Sequence, residues 1–399
     1  MELINRVLGQ MSNISAYQER FLLILFSTIF CLRGKMNYRN LSRYSQWSEK
    51  TYSRQFRKAF DFVEFNRLSI QESVDSSHTL IAVTDCTYSP KSGKKTYGID
   101  YFFSGQAGYS KKGLEVSLLA VVDVDQNTAY SLSVEQTPAV REAKNKEETR
   151  IDFYVRQLKK QRQALPSEVR YLAADGYYAK KKFVDGVVEA ELHVISKLRS
   201  DPHLRFLYHG PQKPGPGAKK RYDGKFDLSR LTHFRAHGQV EPHVFVYSQI
   251  MNHPSLKRDI LVVCLLDWRD PKHQKHCFLF STDLTQDPWE VIRFYKARFQ
   301  IEFIFRDAKQ FTGFSDCQAR EQAALHFHFN SSLSALNVLR MEHGSHQNAS
   351  NVISIASYKA RYFNEHFIHR IFSNLELDLS LIKSHPRYEE LRNYGAIAA

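Results

Sequence analysis

The sequence predicts an α/β fold: a mixed sheet covered by helices, with a β-rich insertion and helical regions at both ends. Apolar β-type runs alternate with amphipathic helical periods between residues 79 and 198, which indicates strands and helices packed in layers. Residues 198–285 interrupt this alternation with a Gly/Pro-rich basic loop and further β-type runs. Residues 1–75 and the part of the chain after residue 285 have helical periods.

Composition restricts the class of protein and of partner. The 399 residues are enough for two or three domains, and a hydrophobic content of 43% argues against disorder. A formal net charge of +14 and a pI of about 9.4 predict an anionic partner, either nucleic acid or an anionic membrane surface. The five cysteines form no CxxC pair, which argues against a disulfide framework and a structural zinc site. The apolar run at residues 21–32 is too short to span a bilayer, so we expect a buried helix in a cytoplasmic protein without a membrane partner.

Residues 1–75 are predicted to form a helical DNA-binding domain of helix-turn-helix type. Two amphipathic segments meet near Trp47 and Ser48, with Ser48 as the N-cap of the second segment and Thr51 as the alternative. The second segment carries four cations that could contact a DNA groove: Lys50, Arg54, Arg57 and Lys58. A plain helical bundle with a basic surface remains the alternative.

The core elements are predicted in the order strand, strand, strand, helix, strand, helix, strand. Their ranges are 79–85, 115–125, 129–136, 146–164, 169–175, 179–190 and 192–198. Asp85 ends the first strand and Asp175 ends the fourth, so both carboxylates follow apolar runs. Strand-end aspartates often begin turns, and Asp123 and Asp125 compete with Asp85 for any role in metal binding. Periodicity does not separate these candidates.

The insertion carries a basic loop and is followed by helices. Five basic residues of the loop are expected to contact DNA backbone phosphates: Lys213, Lys219, Lys220, Arg221 and Lys225. The alternative is a flexible loop that is exposed only to solvent. Three strands are predicted at residues 242–251, 258–268 and 276–284. Asp287 then caps a helix that has Pro288 at its first position and runs into residues 295–309, and a long helix is expected at residues 319–342.

The predicted helix over residues 295–309 has one apolar face and one polar face. At about 100° per residue, four polar groups lie on one side: Tyr295, Arg298, Glu302 and Lys309. Arg306 lies close to the same line. Taken alone, this pattern also fits a solvated face on which Glu302 pairs with Arg298 and Arg306.

Three blocks of the sequence resemble the bacterial insertion-sequence transposases that have an RNase H-like catalytic core. The blocks are "TDCTYSPKSGKKTYGIDYFFSG", "LAADGYYAKKKFVDGV" and "YKARFQIEFIFRDAK". The last block fits the Tyr-x2-Arg-x3-Glu-x6-Lys signature of one branch at every position, and the first supplies an Asp-x-Thr pair, Asp85 and Thr87. The resemblance covers residues 80–340 and implies an RNase H-like mixed-sheet core with a β-rich insertion.

The resemblance also implies site residues, cofactors and partners. Asp85, Asp175 and Glu302 would be the catalytic, metal-binding triad for two Mg²⁺ ions, for which Mn²⁺ can substitute. Tyr295, Arg298 and Lys309 would bind DNA phosphates near the scissile bond, together with Lys219, Lys220 and Arg221 of the loop. The partners would be double-stranded DNA, as terminal inverted repeats and as target, and a second protomer in a synaptic complex. The expected location is the bacterial cytoplasm, at the nucleoid.

The implied activity is cut-and-paste DNA transposition. Hydrolysis at a transposon end would free a 3′-OH, which forms a hairpin on the opposite strand and later attacks target DNA. The expected domains are residues 1–75, 76–197, 198–285, 286–342 and 343–399, the last as a candidate for dimerisation. Two alternatives stay open: an RNase H-like nuclease without strand transfer, and a non-catalytic DNA-binding protein derived from a transposase.

Overall fold

A large mixed β-sheet runs through the protein and has helices on both faces. The structure, a computed structural model, describes residues 2–139, 148–270, 275–344 and 354–397. Within these ranges the strands are β1 Leu80–Pro90, β2 Asp100–Ser104, β3 Tyr109–Asp123, β4 Thr128–Gln136, β5 Tyr171–Ala173, β6 His193–Lys197, β7 Arg205–Leu207, β8 Tyr222–Lys225, β9 Arg235–Glu241, β10 Val244–His253, β11 Arg258–Asp267 and β12 Lys275–Ser281.

The helices of the described residues lie before, between and after these strands. They are α1 Glu2–Gln10, α2 Ala16–Cys31, α3 Tyr38–Arg43, α4 Glu49–Gln55, α5 Phe62–Ser73, α6 Arg150–Gln161, α7 Lys181–Glu189, α8 Pro288–Ala297, α9 Gln300–Phe311, α10 Gln322–Gly344, α11 Ile355–Asn374, α12 Leu379–Lys383 and α13 Tyr388–Arg392. The apolar run that was predicted to be a buried helix lies in α2, most of whose apolar side chains are buried. No helix in the described ranges is long and apolar enough to cross a membrane.

The central strands have the order β4-β3-β1-β5-β6. The pairs β4–β3 and β3–β1 are antiparallel, whereas β1–β5 and β5–β6 are parallel. Helix α6 leads from β4 towards β5, and α7 connects β5 to β6, as a parallel connection requires. This mixed order is consistent with the RNase H-like core that the resemblance implies.

The insertion continues the same sheet beyond β6. Strand β12 pairs with β6, and the order then runs β11, β10, β7 and β8, with β9 also paired to β10. Sequence periodicity missed the short strands β2, β7, β8 and β9. The prediction of a Gly/Pro-rich basic loop was therefore wrong for Tyr222–Lys225, which forms β8 and pairs with β7. Strands β7 and β8, with three and four residues, are too short to produce a period.

Alternation along the strands divides the interior into two hydrophobic cores. Ile81 and Val83 of β1 lie in the core beneath α8 and α9, whereas Ala82 between them lies in the core that contains α2, α5 and α6. Helix α10 contributes to both cores. Its Phe327 ring lies 4.6 Å from the Phe56 ring and 5.0 Å from the Phe62 ring, so the N-terminal helices pack directly on the core.

The helix predicted to run unbroken through residue 309 is in fact two helices. Helix α8 ends at Ala297 and α9 begins at Gln300. Between them, the backbone N–H of Phe299 donates to Lys296 (3.1 Å), and that of Glu302 donates to Phe299 (3.0 Å). These are i to i−3 bonds, which tighten the chain into a 3₁₀-like turn. Because neither Gly nor Pro marks this turn, the sequence does not reveal it.

Candidate active site

Strand β1 places Asp85 at an open edge of the sheet. The sequence suggested that Asp85 ends its strand; instead β1 continues to Pro90, and Asp85 lies opposite Leu118 of β3. On the other side of β1, the parallel strand β5 pairs only with Ala82 and Val83. The end of β5 therefore leaves this edge of β1 uncovered from Thr84 onward.

Asp175 follows β5 and lies beside this open edge. Its carboxylate accepts the Tyr177 backbone N–H (2.8 Å) and caps a short 3₁₀ turn, while its carbonyl accepts the Ser196 hydroxyl (2.8 Å). Asp175 is two residues beyond Ala173, which belongs to the core beneath α8 and α9. Asp85 stands in the same relation to Val83. Both aspartates therefore point towards the side of the sheet that α9 covers.

Glu302, in the first turn of α9, lines the same groove as the two aspartates. Asp85, Asp175 and Glu302 all line one open groove of about 1150 Å³. The Glu302 side chain is 44% exposed, so it extends into the groove and not into the core. The structure thus brings together the three carboxylates that the resemblance implied, from three separate elements.

Asp85 is the carboxylate most affected by these surroundings. Burial is the largest cause and raises the pKa of Asp85 to about 7. The negative charges of Asp175 and Glu302 raise this pKa further, whereas the Cys86 backbone N–H and the Arg298 guanidinium lower it. Burial and the neighbouring carboxylates therefore both disfavour the ionised form of Asp85.

Arg298 is a largely buried cation next to Glu302. Its Nη2 lies 3.5 Å from Glu302 Oε1, and its guanidinium lies 5.5 Å from the centre of the Tyr295 ring. The side chain is only 13% exposed, and its buried Nε has no hydrogen-bond partner among the described residues. A buried donor without a partner is costly unless an acceptor arrives, so Arg298 is prepared to receive an anion.

Lys309 joins the other end of α9 to β1. Its Nζ donates to the Thr87 hydroxyl (2.6 Å), and desolvation in the groove lowers the pKa of Lys309.

Arg306 does not pair with Glu302, although the helical spacing of the two residues allowed such a pair. It contacts Asp307 (2.9 Å) and lies 4.5 Å from the centre of the Phe303 ring.

Sequence reasoning missed a fourth carboxylate of the groove, Glu115. Its two oxygens are occupied, because Tyr154 donates its hydroxyl to Oε1 (3.0 Å) and Arg150 lies 3.8 Å from Oε2. In the sequence, the one signal for Glu115 is that a carboxylate begins an otherwise apolar strand. We therefore assign it a structural role beside Asp85, Asp175 and Glu302.

The competing aspartates hold a turn at the opposite end of β1. Asp123 lies opposite Leu80 and accepts the backbone N–H groups of Asp125 and Gln126 (3.0 and 2.9 Å). Asp125 accepts the Thr79 backbone N–H (2.6 Å) and pairs with Arg293. Neither residue lines the groove.

The donor set of the groove fits a hard divalent cation. Three carboxylates offer the oxygen ligands that Mg²⁺ prefers, and their mutual repulsion would be relieved by positive charge. Within the described ranges, no three His, Cys, Asp or Glu side chains are already close enough to hold a metal. The three carboxylates thus share the groove without converging on one point.

The N-terminal cations predicted to contact DNA are all at the surface. Ser48 caps α4, as expected, by accepting the Thr51 backbone N–H (3.2 Å). Lys50, Arg54 and Lys58 are exposed. Arg57 is also exposed, but its guanidinium is held by Glu321, with distances of 2.6 and 3.2 Å.

The cations of the insertion lie outside the carboxylate groove. Lys219 and Arg221 are exposed, as are Lys213 and Lys225. Lys220 is held in place, because its Nζ lies 2.8 Å from Asp223 Oδ1 and 4.2 Å from the centre of the Tyr208 ring.

Comparison with protein families gives a match to more than half of the chain. A family profile described as "Transposase DDE domain" matches residues 87–338, well over half of the chain. The chain belongs to this family. The match contains Asp175, Glu302 and the other signature residues and begins two positions after Asp85. A comparison with curated proteins finds no similar sequence. DDE transposases recombine DNA and generally use divalent metals, so the family supplies both the partner and the class of cofactor.

Proposed function

We propose that this chain cleaves DNA at the ends of an insertion sequence and joins them to target DNA, with Asp85, Asp175 and Glu302 as its catalytic carboxylates. The observation that carries the proposal is their meeting in one groove from β1, from the end of β5 and from α9. If Glu302 only formed a surface ion pair, it would have no reason to lie in the same groove as the two aspartates. If Asp85 and Asp175 only formed turns, they would have no reason to lie near Glu302.

The carboxylates would hold two Mg²⁺ ions, with Mn²⁺ as a substitute. Such ions, when bound, activate the attacking oxygen and stabilise the leaving oxygen of an in-line displacement at phosphorus. The raised pKa of Asp85 makes its role pH-dependent, because the carboxyl must lose its proton before it can act as a ligand.

The signature cations would position the DNA backbone beside the carboxylates. Arg298 offers a buried fork with a free Nε, suited to two oxygens of a phosphate. Lys309 supplies a point charge that Thr87 orients, and Tyr295 packs against Arg298. These three residues would hold the scissile phosphate in line for attack.

Each chemical step of cut-and-paste transposition can use the same carboxylates. Hydrolysis frees a 3′-OH at the transposon end, that hydroxyl attacks the opposite strand to give a hairpin, and the opened end attacks target DNA. All are displacements at phosphorus and differ only in the attacking oxygen.

The remaining predicted elements have roles in DNA recognition and assembly in this proposal. Residues 1–75 would read the terminal inverted repeat through Lys50, Arg54, Arg57 and Lys58, with Arg57 first leaving Glu321. Residues 198–285 would add phosphate contacts through the insertion cations, between core segments 76–197 and 286–342. Residues 343–399 would help two protomers pair two ends in a synaptic complex at the nucleoid.

The test is incubation of purified protein with a labelled DNA of the element's end, target plasmid and Mg²⁺ or Mn²⁺. Wild type is expected to nick the end and join it to the plasmid, and Glu302→Gln to do neither. Glu290→Gln is the matched control, because Glu290 is also exposed in the first turn of a helix, α8. It should retain wild-type activity.

Three other results would decide against parts of the proposal. Nicking without joining would favour a nuclease on the same core. DNA binding without either reaction would favour a non-catalytic DNA-binding protein. Equal activity of Glu302→Gln and wild type would refute the assignment of the carboxylates.

A further inference from the structure

The β2–β3 hairpin carries exposed aromatic side chains beside the groove. Tyr101 and Phe103 of β2 are 60% and 59% exposed, which is unusual for large rings on a soluble surface. Phe102 between them is fully buried beneath Arg150, whose guanidinium lies 4.9 Å from the ring centre. The hairpin is therefore firmly attached through one face and presents Tyr101 and Phe103 on the other.

Cross-strand register adds positive charge to the aromatic face. Tyr101 lies opposite Lys112 and Phe103 lies opposite Ser110, so these four side chains share one face. Lys112 is exposed, and Phe103 lines the same groove as the carboxylates. Along β3 this face continues to Leu118, the partner of Asp85. Leu118 lies about 27 Å along the strand from Ser110, at 3.4 Å per residue.

The spacing of the two rings suits a nucleic-acid base. Residues two apart on an antiparallel strand are separated by about 7 Å, which is twice the roughly 3.4 Å spacing of stacked bases. One planar base therefore fits between Tyr101 and Phe103, with each ring at stacking distance. In a duplex the base faces are covered by their neighbours, so the partner that fits has unpaired bases.

We propose that the exposed face of the β2–β3 hairpin binds unpaired DNA, with Tyr101 and Phe103 stacking on bases and Lys112 holding the backbone. This inference rests on the proposed function, because it places the strand in the groove of the three carboxylates. The distance from Asp85 means that the hairpin holds nucleotides several positions from the scissile phosphate. It would thus keep the separated strand ordered while the carboxylates act.

The test measures binding in EDTA, so that no cleavage takes part. Fluorescence anisotropy would give the Kd of fluorescein-labelled dT20 and of a labelled duplex of the same length. Tyr101→Ala and Phe103→Ala are each expected to weaken dT20 binding about tenfold and to change duplex binding less than twofold. Phe103→Trp should keep the affinity for dT20, whereas Phe103→Leu should lose it. Lys112→Gln should lower the salt dependence of dT20 binding by about 0.7 in log–log slope.

Tyr109 supplies a matched control within the same hairpin. It is 61% exposed but lies opposite Ser104, on the face away from Phe103. Tyr109→Ala should therefore bind dT20 like wild type. Unchanged dT20 affinity of both aromatic variants, or an equal loss in Tyr109→Ala, would overturn the inference. Because cleavage is not measured, an inactive enzyme would leave this result intact, and normal dT20 binding by Phe103→Ala would leave the carboxylate assignment intact.

Discussion

Glu302 and Asp307 lie five residues apart on α9, yet their surroundings are opposite. The Glu302 side chain is 44% exposed and has one ion-pair contact, with Arg298 at 3.5 Å. The Asp307 side chain is 8% exposed and is held by Arg306 at 2.9 Å and by Arg340 of α10 at 3.0 Å. Five residues correspond to about 140° of rotation around a helix, so the two carboxylates serve different faces.

The difference shows how the helix separates stability from chemistry. Arg340 also donates to the Ala129 carbonyl of β4, so the Asp307 face joins α9, α10 and the sheet. The Glu302 face keeps its carboxylate free of firm partners, beside Asp85 and Asp175. One face holds α9 against the core, and the other leaves the Glu302 carboxylate accessible in the groove.

The largest expected effect is on the buried face. Asp307→Ala leaves the buried charge of Arg340 without its partner and should lower the free energy of unfolding by about 3–5 kcal/mol. Urea denaturation followed by circular dichroism measures this loss. The double variant Asp307→Leu/Arg340→Met should recover most of it, because the uncompensated charge is gone. A loss below about 1 kcal/mol in Asp307→Ala would contradict the structural role of this pair.

Asp85 should affect stability in a pH-dependent manner. Its pKa of about 7 in the folded protein exceeds the ordinary value of 3.8, so folding favours the protonated form. Ionisation of Asp85 therefore lowers the free energy of unfolding. This loss of stability is absent below about pH 4, grows as the pH rises towards 7 and is constant above that. In EDTA, Asp85→Asn should therefore be more stable than wild type at pH 8 by about 4 kcal/mol at most, and equal at pH 4. Thermal unfolding at both pH values measures the difference, and a gain that does not depend on pH would contradict burial of the ionised carboxylate as its cause.

The exposed pair between Arg57 and Glu321 should contribute little despite its good geometry. Both side chains are more than half exposed, at 51% and 61%, so solvent screens their attraction. Glu321→Gln should leave the free energy of unfolding close to that of wild type. It should also tighten binding to a DNA duplex, since Arg57 becomes available. Weaker duplex binding by this variant would remove Arg57 from the proposed DNA-contacting set.

The smallest expected effect on stability belongs to Glu302 itself. Glu302→Gln removes one long, exposed i to i+4 contact and should change the free energy of unfolding by about 0.5 kcal/mol or less. The same urea denaturation that is used for Asp307→Ala provides the comparison. A loss as large as that of Asp307→Ala would mean that Glu302 serves the fold and not the groove.

The family resemblance implied Asp85, Asp175 and Glu302, and the structure places all three in one groove. Local periodicity did not separate Asp85 from Asp123 and Asp125, and it did not show how the helix that carries Glu302 is divided. The break at Phe299 depends on backbone hydrogen bonds that no residue type marks. The contact between Asp307 and Arg340 joins residues far apart in the chain, and no helical period shows it.

The aromatic hairpin illustrates a different limit. Tyr101 and Phe103 alternate with Phe102, but the polar residues of "DYFFS", Asp100 and Ser104, lie on the same face as the buried Phe102, so polarity does not show which face is buried. Only the register with β3 shows which rings are buried and which face solvent. The signature helix, by contrast, shows its two faces in the sequence because polar and apolar residues differ clearly.

If Asp85, Asp175 and Glu302 act as one metal-binding centre, each of them should contribute to the binding of Mn²⁺. Titration followed by electron paramagnetic resonance at pH 8 should show Mn²⁺ bound to wild type and to Glu290→Gln. Asp85→Asn, Asp175→Asn and Glu302→Gln should each bind fewer ions or bind them at least tenfold more weakly. Wild-type Mn²⁺ binding in all three variants would contradict this assignment.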